Sequence, residues 1–280
     1  MSIIEDAKND LKRILPPPVD SFMREINIVK AELSRQHGEL SELREENRKL
    51  LDELKRTERK AAESIWASIF NNTITGSAWL KTQTFSPGRW ALGYPALYAL
   101  YRILNGVKPK HILELGLGQS TNMITQYVSS KREAEHFVVE HDPAWLSFYK
   151  KEYPVSKQTE IVQLDRTFVP YKEAESVRVF DGFKERFSGK RFDFILIDAP
   201  LGSDMKQYAR IDILSLLPEC LSESFTILFD DTGRSGETNT IKEICCALDA
   251  AEIKYVKGNY SGEKTCTVIC SADNAFLCTL

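Results

Sequence analysis

The stretch HILELGLGQST, residues 111–121, decides the fold. An apolar run meets an acid, Glu114. The turn Gly116-Leu117-Gly118 follows, and then the polar residues Gln119, Ser120 and Thr121. This order reads as a buried strand, a tight corner and the start of a helix. Glycine lets the backbone turn sharply and lets a ligand come close to it. A dinucleotide fingerprint wants glycine at 121, where this chain has threonine, and the lysine of a phosphate loop is missing. An acid just before the turn repels a pyrophosphate and suits a cationic ligand. A plain strand-to-helix corner is the competing reading.

From residue 110 onward the pattern repeats. Strand-like runs occupy 111–115, 136–140, 160–164, 192–198 and 225–230. Helix-like runs follow them at roughly 119–131, 143–151, 180–187, 207–222 and 238–251. Such alternation predicts a parallel sheet with helices on both faces. The end differs, because 253–258 and 264–271 are joined by NYSGE, a turn-rich linker. That is a β-hairpin, so a terminal strand is expected to run antiparallel. The expectation is therefore an α/β, doubly wound, seven-stranded sheet with a terminal antiparallel hairpin. A helix over 94–105 should pack on it.

The region before the sheet has another character. Residues 2–15 suit a short amphipathic helix, and Pro16-Pro17-Pro18 stops it. Residues 21–64 are rich in Glu, Lys, Arg and Leu, with a seven-residue repeat. One seam holds Ile26, Leu33, Leu40, Asn47, Leu54 and Ala61. The other holds Val29, Gln36, Leu43, Leu50, Thr57 and Ser64. Asn47 would be a polar seam residue of the kind that fixes register in a parallel dimer. An N-terminal helical coiled coil that self-associates is expected, the alternative being one amphipathic helix packed on its own domain. The expected domains are a short helix and spacer over 1–20, a coiled coil over 21–64, a connector and helical lid over 65–109, and the sheet domain over 110–280.

Composition narrows the partners. The formal net charge of -3 argues against a general nucleic-acid binder. The six cysteines form no CxxC pair, which points to free thiols in a reducing compartment and away from zinc. No apolar run approaches the ~18 residues of a membrane span. The polar, acidic start does not read as a signal peptide. The expectation is a cytoplasmic protein without a transmembrane segment.

In doubly wound sheets, ligands sit at the carboxyl ends of the strands. Glu140 ends the second strand, where an acid can accept hydrogen bonds from ribose hydroxyls. With ELGLGQS, Glu140, FDFILID and the closing hairpin in place, residues 90–280 resemble the class I S-adenosylmethionine-dependent methyltransferases. The resemblance implies a seven-stranded sheet whose last strand is antiparallel. It implies S-adenosylmethionine bound by Glu114, Gly116, Gly118, Gln119, Ser120 and Thr121 at the methionine end, with Glu140 on the ribose. Asp165 and Asp198 complete that set, and Asp181-Gly182-Phe183 competes with Asp165 for the adenine end.

Asp198 ends the fourth strand, and Asp230-Asp231 ends the fifth. Three converging carboxylates repel one another unless a cation, protons or substrate intervene. Oxygen ligands of this kind suit Mg²⁺ or another hard divalent metal. The arrangement looks like the divalent-metal sugar O-methyltransferases of the macrocin type and those of the caffeoyl-CoA type. The metal-free alternative makes one acid a general base. DAPLG, YAR and DTGRSGE are similar to motifs of glucuronoxylan-type polysaccharide methyltransferases. That likeness implies Tyr208, Arg210 and Arg234 at a sugar or glycan acceptor, and Arg89 precedes the sheet where lids lie. The expected function is methyl transfer to an acceptor oxygen, with Asp198, Asp230 and Asp231 carrying the chemistry. A nicotinamide-dependent oxidoreductase and a non-catalytic cofactor-binding assembly protein remain as alternatives.

Overall fold

The structure, a computed structural model, describes Glu5, residues 19–88 and residues 90–279. The expected helix over 2–15, its proline spacer and Arg89 thus lie outside the described residues. The chain divides into two compact units, residues 1–57 and 58–280.

A long helix, α1, spans Val19–Ile74. In the first unit its seam residues Val29, Leu33, Leu40, Leu43, Leu50 and Leu54 are all exposed. Its charged residues pair along the same helix, as in Arg35 with Glu32 and Glu39 and Arg48 with Glu45. Exposed pairs three and four apart support a helix by only ~0.2–0.5 kcal/mol each. In the second unit the helix continues past residue 64, and Phe70 and Ile74 enter the core.

Seven strands form the main sheet of the second unit. They are β1 (His111–Leu115), β2 (Glu135–Glu140), β3 (Thr159–Gln163), β6 (Phe192–Ile197), β7 (Leu221–Phe229), β8 (Tyr255–Ser261) and β9 (Thr265–Ser271). Their order is β3-β2-β1-β6-β7-β9-β8. β9 runs antiparallel to both neighbours, and the other pairings are parallel. The expected α/β sheet with its closing antiparallel hairpin is therefore present.

The central strands read as nearly continuous apolar runs because both their faces are covered. In β6, Phe194 and Leu196 point to one face, and Ile195 and Ile197 to the other. The first face packs against the end of α1, against α2 (Tyr94–Arg102) and against α3 (Gln119–Ser129). The second packs against α5 (Phe183–Phe187), the 3₁₀ turn Asp212–Ser215 and α6 (Ser235–Ala250). A smaller cluster of Leu117, Val138, Leu146 and Tyr149 holds α4 (Pro143–Glu152). Asp142 caps α4 by accepting from the amides of Ala144 and Trp145.

Two expectations need correction, and one further element carries no clear sequence signal. The helix expected over 207–222 is not formed; only the 3₁₀ turn appears, and β7 starts at Leu221. Arg210 takes a left-handed backbone (φ 59°), and Pro218 has no amide to donate, so the α-helical ladder cannot run through. The helix over 94–105 ends at Arg102 and passes into a π-type turn, Ile103–Val107. The segment between Asp165 and Asp181 forms a separate two-stranded sheet, β4 (Arg166–Tyr171) with β5 (Ala174–Phe180). Its tight turn, Lys172-Glu173, has neither glycine nor asparagine, so no turn signal marks it, although Lys172 is left-handed (φ 49°).

Candidate active site

Parallel geometry brings the ends of β1, β2, β6 and β7 to one edge, and a cleft opens there. It is a cavity of about 180 Å³. Gly116, Gly118, Gln119 and Ser120 form its floor, and Glu140, Asp198, Arg210, Asp231, Arg234 and Lys264 its polar walls. Trp90 stands at the rim, 79% exposed. Larger cavities of about 420, 420, 290 and 250 Å³ lie elsewhere; none touches the glycine turn, and of these only the 250 Å³ one, which Asp231 borders, touches the acids at the ends of β6 and β7.

The glycine turn is built for close approach. Gly116 has φ 109°, a conformation only glycine adopts easily, and a Cβ there would meet the Ala199 Cβ at 3.1 Å. A Cβ on Gly118 would meet nothing within 4 Å, so the backbone there borders open space. Thr121 is buried, and its Oγ1 accepts from the Gly118 amide at 2.9 Å. It secures the corner and does not line the cleft.

Glu140 is held rigidly. Its Oε1 accepts from the amides of His141 and Asp142 at 2.7 and 2.8 Å. Its Oε2 faces the Leu117 amide at 3.4 Å. Three of its roughly four lone-pair sites are thus taken, which leaves one on Oε2 for a ligand hydroxyl. Glu114 is placed differently from the expectation. It is fully buried under the turn, with Oε2 at 3.0 Å from His136 Nε2, and is absent from the cleft wall. The pair has ion-pair distance without hydrogen-bond alignment.

The acids at the ends of β6 and β7 do converge. One oxygen each of Asp198, Asp230 and Asp231 lies within 4.8 Å of the others. Arg210 is buried among them, its Nη2 3.2 Å from Asp198 and 2.9 Å from Asp231. Lys264 Nζ stands 3.5 Å from Asp230 and 3.6 Å from Asp231. Arg234 reaches Asp231 at 2.9 Å and the buried Glu237 at 3.3 Å. Arg210 (φ 59°) and Asp231 (φ 61°) both hold left-handed backbones, a local strain the surrounding packing has to overcome.

Burial, and then the neighbouring Asp230, push the Asp198 carboxyl well above the usual range. Burial and then Asp231 raise Asp230, and burial raises Glu237. Burial works against the Arg210 charge, yet Asp198 and Asp231 hold it above its ordinary value. The cluster is thus a mutually neutralised network of four carboxyls and three cations.

A divalent metal suits this donor set in type, and Asp230 has both oxygens buried without a hydrogen bond. The charges do not suit it. Each of the three carboxyls already faces a cation of the chain. A dication would have to displace Lys264 and Arg210 from the acids against like charge. The cluster as built does not fit a metal.

Two other expected residues fall outside the cleft. Asp165 is exposed at the neck of the β4–β5 hairpin, where its carbonyl accepts from the Asp181 amide. Tyr208 is buried with Ala174, Val177 and Ile211, its ring against Tyr171. It supports the hairpin and does not reach the cleft. Lys264, in the turn between β8 and β9, is the residue that sequence reasoning missed. No signal there separates it from a solvated lysine.

No protein-family model and no curated protein matches the sequence. Solved structures similar to this chain include an O-methyltransferase from Bacillus cereus in complex with SAH, 13% identical. It covers 75% of this chain and 91% of its own, at a TM-score of 0.45. The tomaymycin-synthesis O-methyltransferase TomG of Streptomyces achromogenes, in complex with SAM, is 12% identical, with coverage of 75% and 90% and a TM-score of 0.43. The SAH-bound methyltransferase of Podospora anserina is 15% identical, with coverage of 74% and 86% and a TM-score of 0.43.

Proposed function

We propose that the chain is an S-adenosylmethionine-dependent methyltransferase that acts on an oxygen of a sugar or glycan acceptor without a metal. One observation carries the reading: a glycine turn open to ligand, a rigid ribose-type acid and a neutralised acid cluster share one cleft. When bound, S-adenosylmethionine supplies an electrophilic methyl group on a cationic sulfur. The Gly116–Gly118 backbone would border its methionine end, with Gln119 and Ser120 beside it, and Glu140 would accept from a ribose hydroxyl. Four carboxyls against three cations, with the Asp198 carboxyl held toward its protonated form, keep the cluster close to neutral, so it does not repel a cationic ligand.

An acceptor hydroxyl must lose its proton as its oxygen attacks. Asp198 faces the cleft, and its raised affinity for protons makes it a better base than an ordinary carboxylate. Arg210 fixes its orientation and steadies the negative form. Arg234 and Lys264 border a second cavity of about 250 Å³ with Arg59. Those cations suit an anionic or hydroxyl-rich acceptor beside the base. Holding the two reactants in line supplies most of the rate gain expected from such a site. The exposed apolar seam of α1 pairs with that of a second copy in a parallel coiled coil, which serves assembly.

Labelled methyl transfer from S-adenosylmethionine into fractionated cell extract tests the reading. Transfer into a glycan fraction that persists with chelator supports it, and transfer that a chelator abolishes removes the metal-free part. A calorimetric titration in which NADH binds and S-adenosylmethionine does not removes the whole. Asp198→Asn should keep S-adenosylhomocysteine affinity within about threefold and lower turnover by roughly 10²-fold or more, the scale of a lost general base.

A further inference from the structure

Lys264 is the residue that brings the closing hairpin to the cleft, and its own position needs an explanation. A lysine side chain has four rotatable bonds, and ordering it costs conformational entropy. Two of its contacts lie in the cleft, at Asp230 and Asp231. A third is the Ala91 carbonyl at the rim, which accepts from Nζ at 2.9 Å. The backbone on either side of that contact is held from a distance in sequence, by one carboxylate.

Glu63 lies near the end of α1. Its Oε1 accepts from the Tyr94 amide at 2.7 Å, at the start of α2 just after the rim. Its Oε2 accepts from the Glu263 amide at 2.9 Å, in the turn next to Lys264. Two glycines make room for it. A Cβ on Gly93 would meet Glu63 Oε1 at 3.1 Å, and a Cβ on Gly262 would collide with Oε2. One helical turn further on, Trp66 Nε1 donates to the Ser261 carbonyl at 3.0 Å, and its ring packs against Tyr98 and Tyr260. The helix therefore stays docked without Glu63, whereas the two amides lose their shared acceptor.

We propose that Glu63 is a positioning residue: it clasps the β8–β9 turn to the cleft rim and so fixes Lys264 against Asp230 and Asp231. The proposal rests on the methyltransferase reading for its effect on rate, though the clasp itself does not. It gives the last turns of α1 a part in the site, separate from any role in assembly. A lysine that wanders leaves the buried Asp230 without its cation, while Asp231 keeps Arg210 and Arg234, and this disturbs the base beside Asp230 more than it disturbs the floor of the cleft.

The test compares Glu63→Ala, Glu63→Gln and the exposed control Lys60→Ala in the full chain. Four readouts are used: hydrogen exchange at the Tyr94 and Glu263 amides, melting temperature, calorimetric affinity for S-adenosylhomocysteine, and methyl transfer into the extract fraction that the wild type methylates. The expected result for Glu63→Ala is exchange at both amides at least tenfold faster. Transfer falls about tenfold, with affinity for S-adenosylhomocysteine within threefold. Glu63→Gln keeps one acceptor oxygen and falls between, and Lys60→Ala behaves as wild type. A wild-type transfer rate in Glu63→Ala overturns the proposal, whatever the exchange shows. So does a loss in which affinity and melting temperature fall together and glutamine rescues nothing. A wild type that binds no S-adenosylmethionine sinks the functional reading instead, and exchange at the two amides still decides whether the clasp exists.

Discussion

At the residue scale, one buried acid outside the cleft sets a measurable property. Asp212 is 4% exposed; its Oδ1 accepts from the Phe180 amide at 2.7 Å, and its Oδ2 has no hydrogen-bond partner. Burial pushes its carboxyl up from 3.8 to about 7. The folded chain therefore keeps a proton that the unfolded chain has lost. Stability is higher at acidic pH and falls as pH rises from about 4 to about 7, by on the order of 4 kcal/mol from this group alone. Asp212→Asn should flatten that slope in denaturant titrations across the range, and an unchanged slope would show the carboxyl to be charged in the fold. Residue types at strand ends were legible in the sequence, so Glu140, Asp198 and Asp231 stand in the cleft where their positions implied. Direction was not legible, which is why Glu114 turned inward to His136 and Tyr208 into the hairpin.

At the scale of elements, the corner after β1 is the most constrained piece. Gly116 combines a left-handed backbone with a close neighbour in Ala199. Gly116→Ala should cost about 1–2 kcal/mol in strain and lower affinity for S-adenosylhomocysteine at least tenfold, measured by calorimetry. Intact affinity would mean that the corner is structural only. The strands of the main sheet were readable because burial on both faces leaves an uninterrupted apolar run. The β4–β5 hairpin was not, because only one of its faces is covered and its turn uses Lys172-Glu173. The false helix over 207–222 has another origin, the left-handed backbone at Arg210 and the missing amide of Pro218. Its apolar residues Ile213, Leu216 and Leu217 do enter the core, but from a 3₁₀ turn and an irregular segment.

At the scale of the whole molecule, the chain carries a helix with an exposed apolar seam and a sheet domain with a polar cleft. Among the described residues no helix is long and apolar enough to cross a membrane. If the seam pairs two copies, Leu43→Ala with Leu50→Ala should convert a dimer into a monomer in light scattering. Affinity for S-adenosylhomocysteine should stay within about twofold, since among the described residues none that lines the cleft comes from the first unit. A wild-type chain that is already monomeric would leave the seam without its proposed partner.

HILELGLGQST by itself determined the strand, the corner and the edge of the sheet where ligands belong, because glycine spacing and apolar runs act locally. The tertiary structure decided what surrounds that corner. It carried Lys264 to Asp230 and Asp231 across the closing hairpin, buried Arg210 between Asp198 and Asp231, and joined the β8–β9 turn to the rim through Glu63. Those contacts join residues far apart in the chain. Their strength comes from burial and mutual charge, which exist only once the sheet has closed.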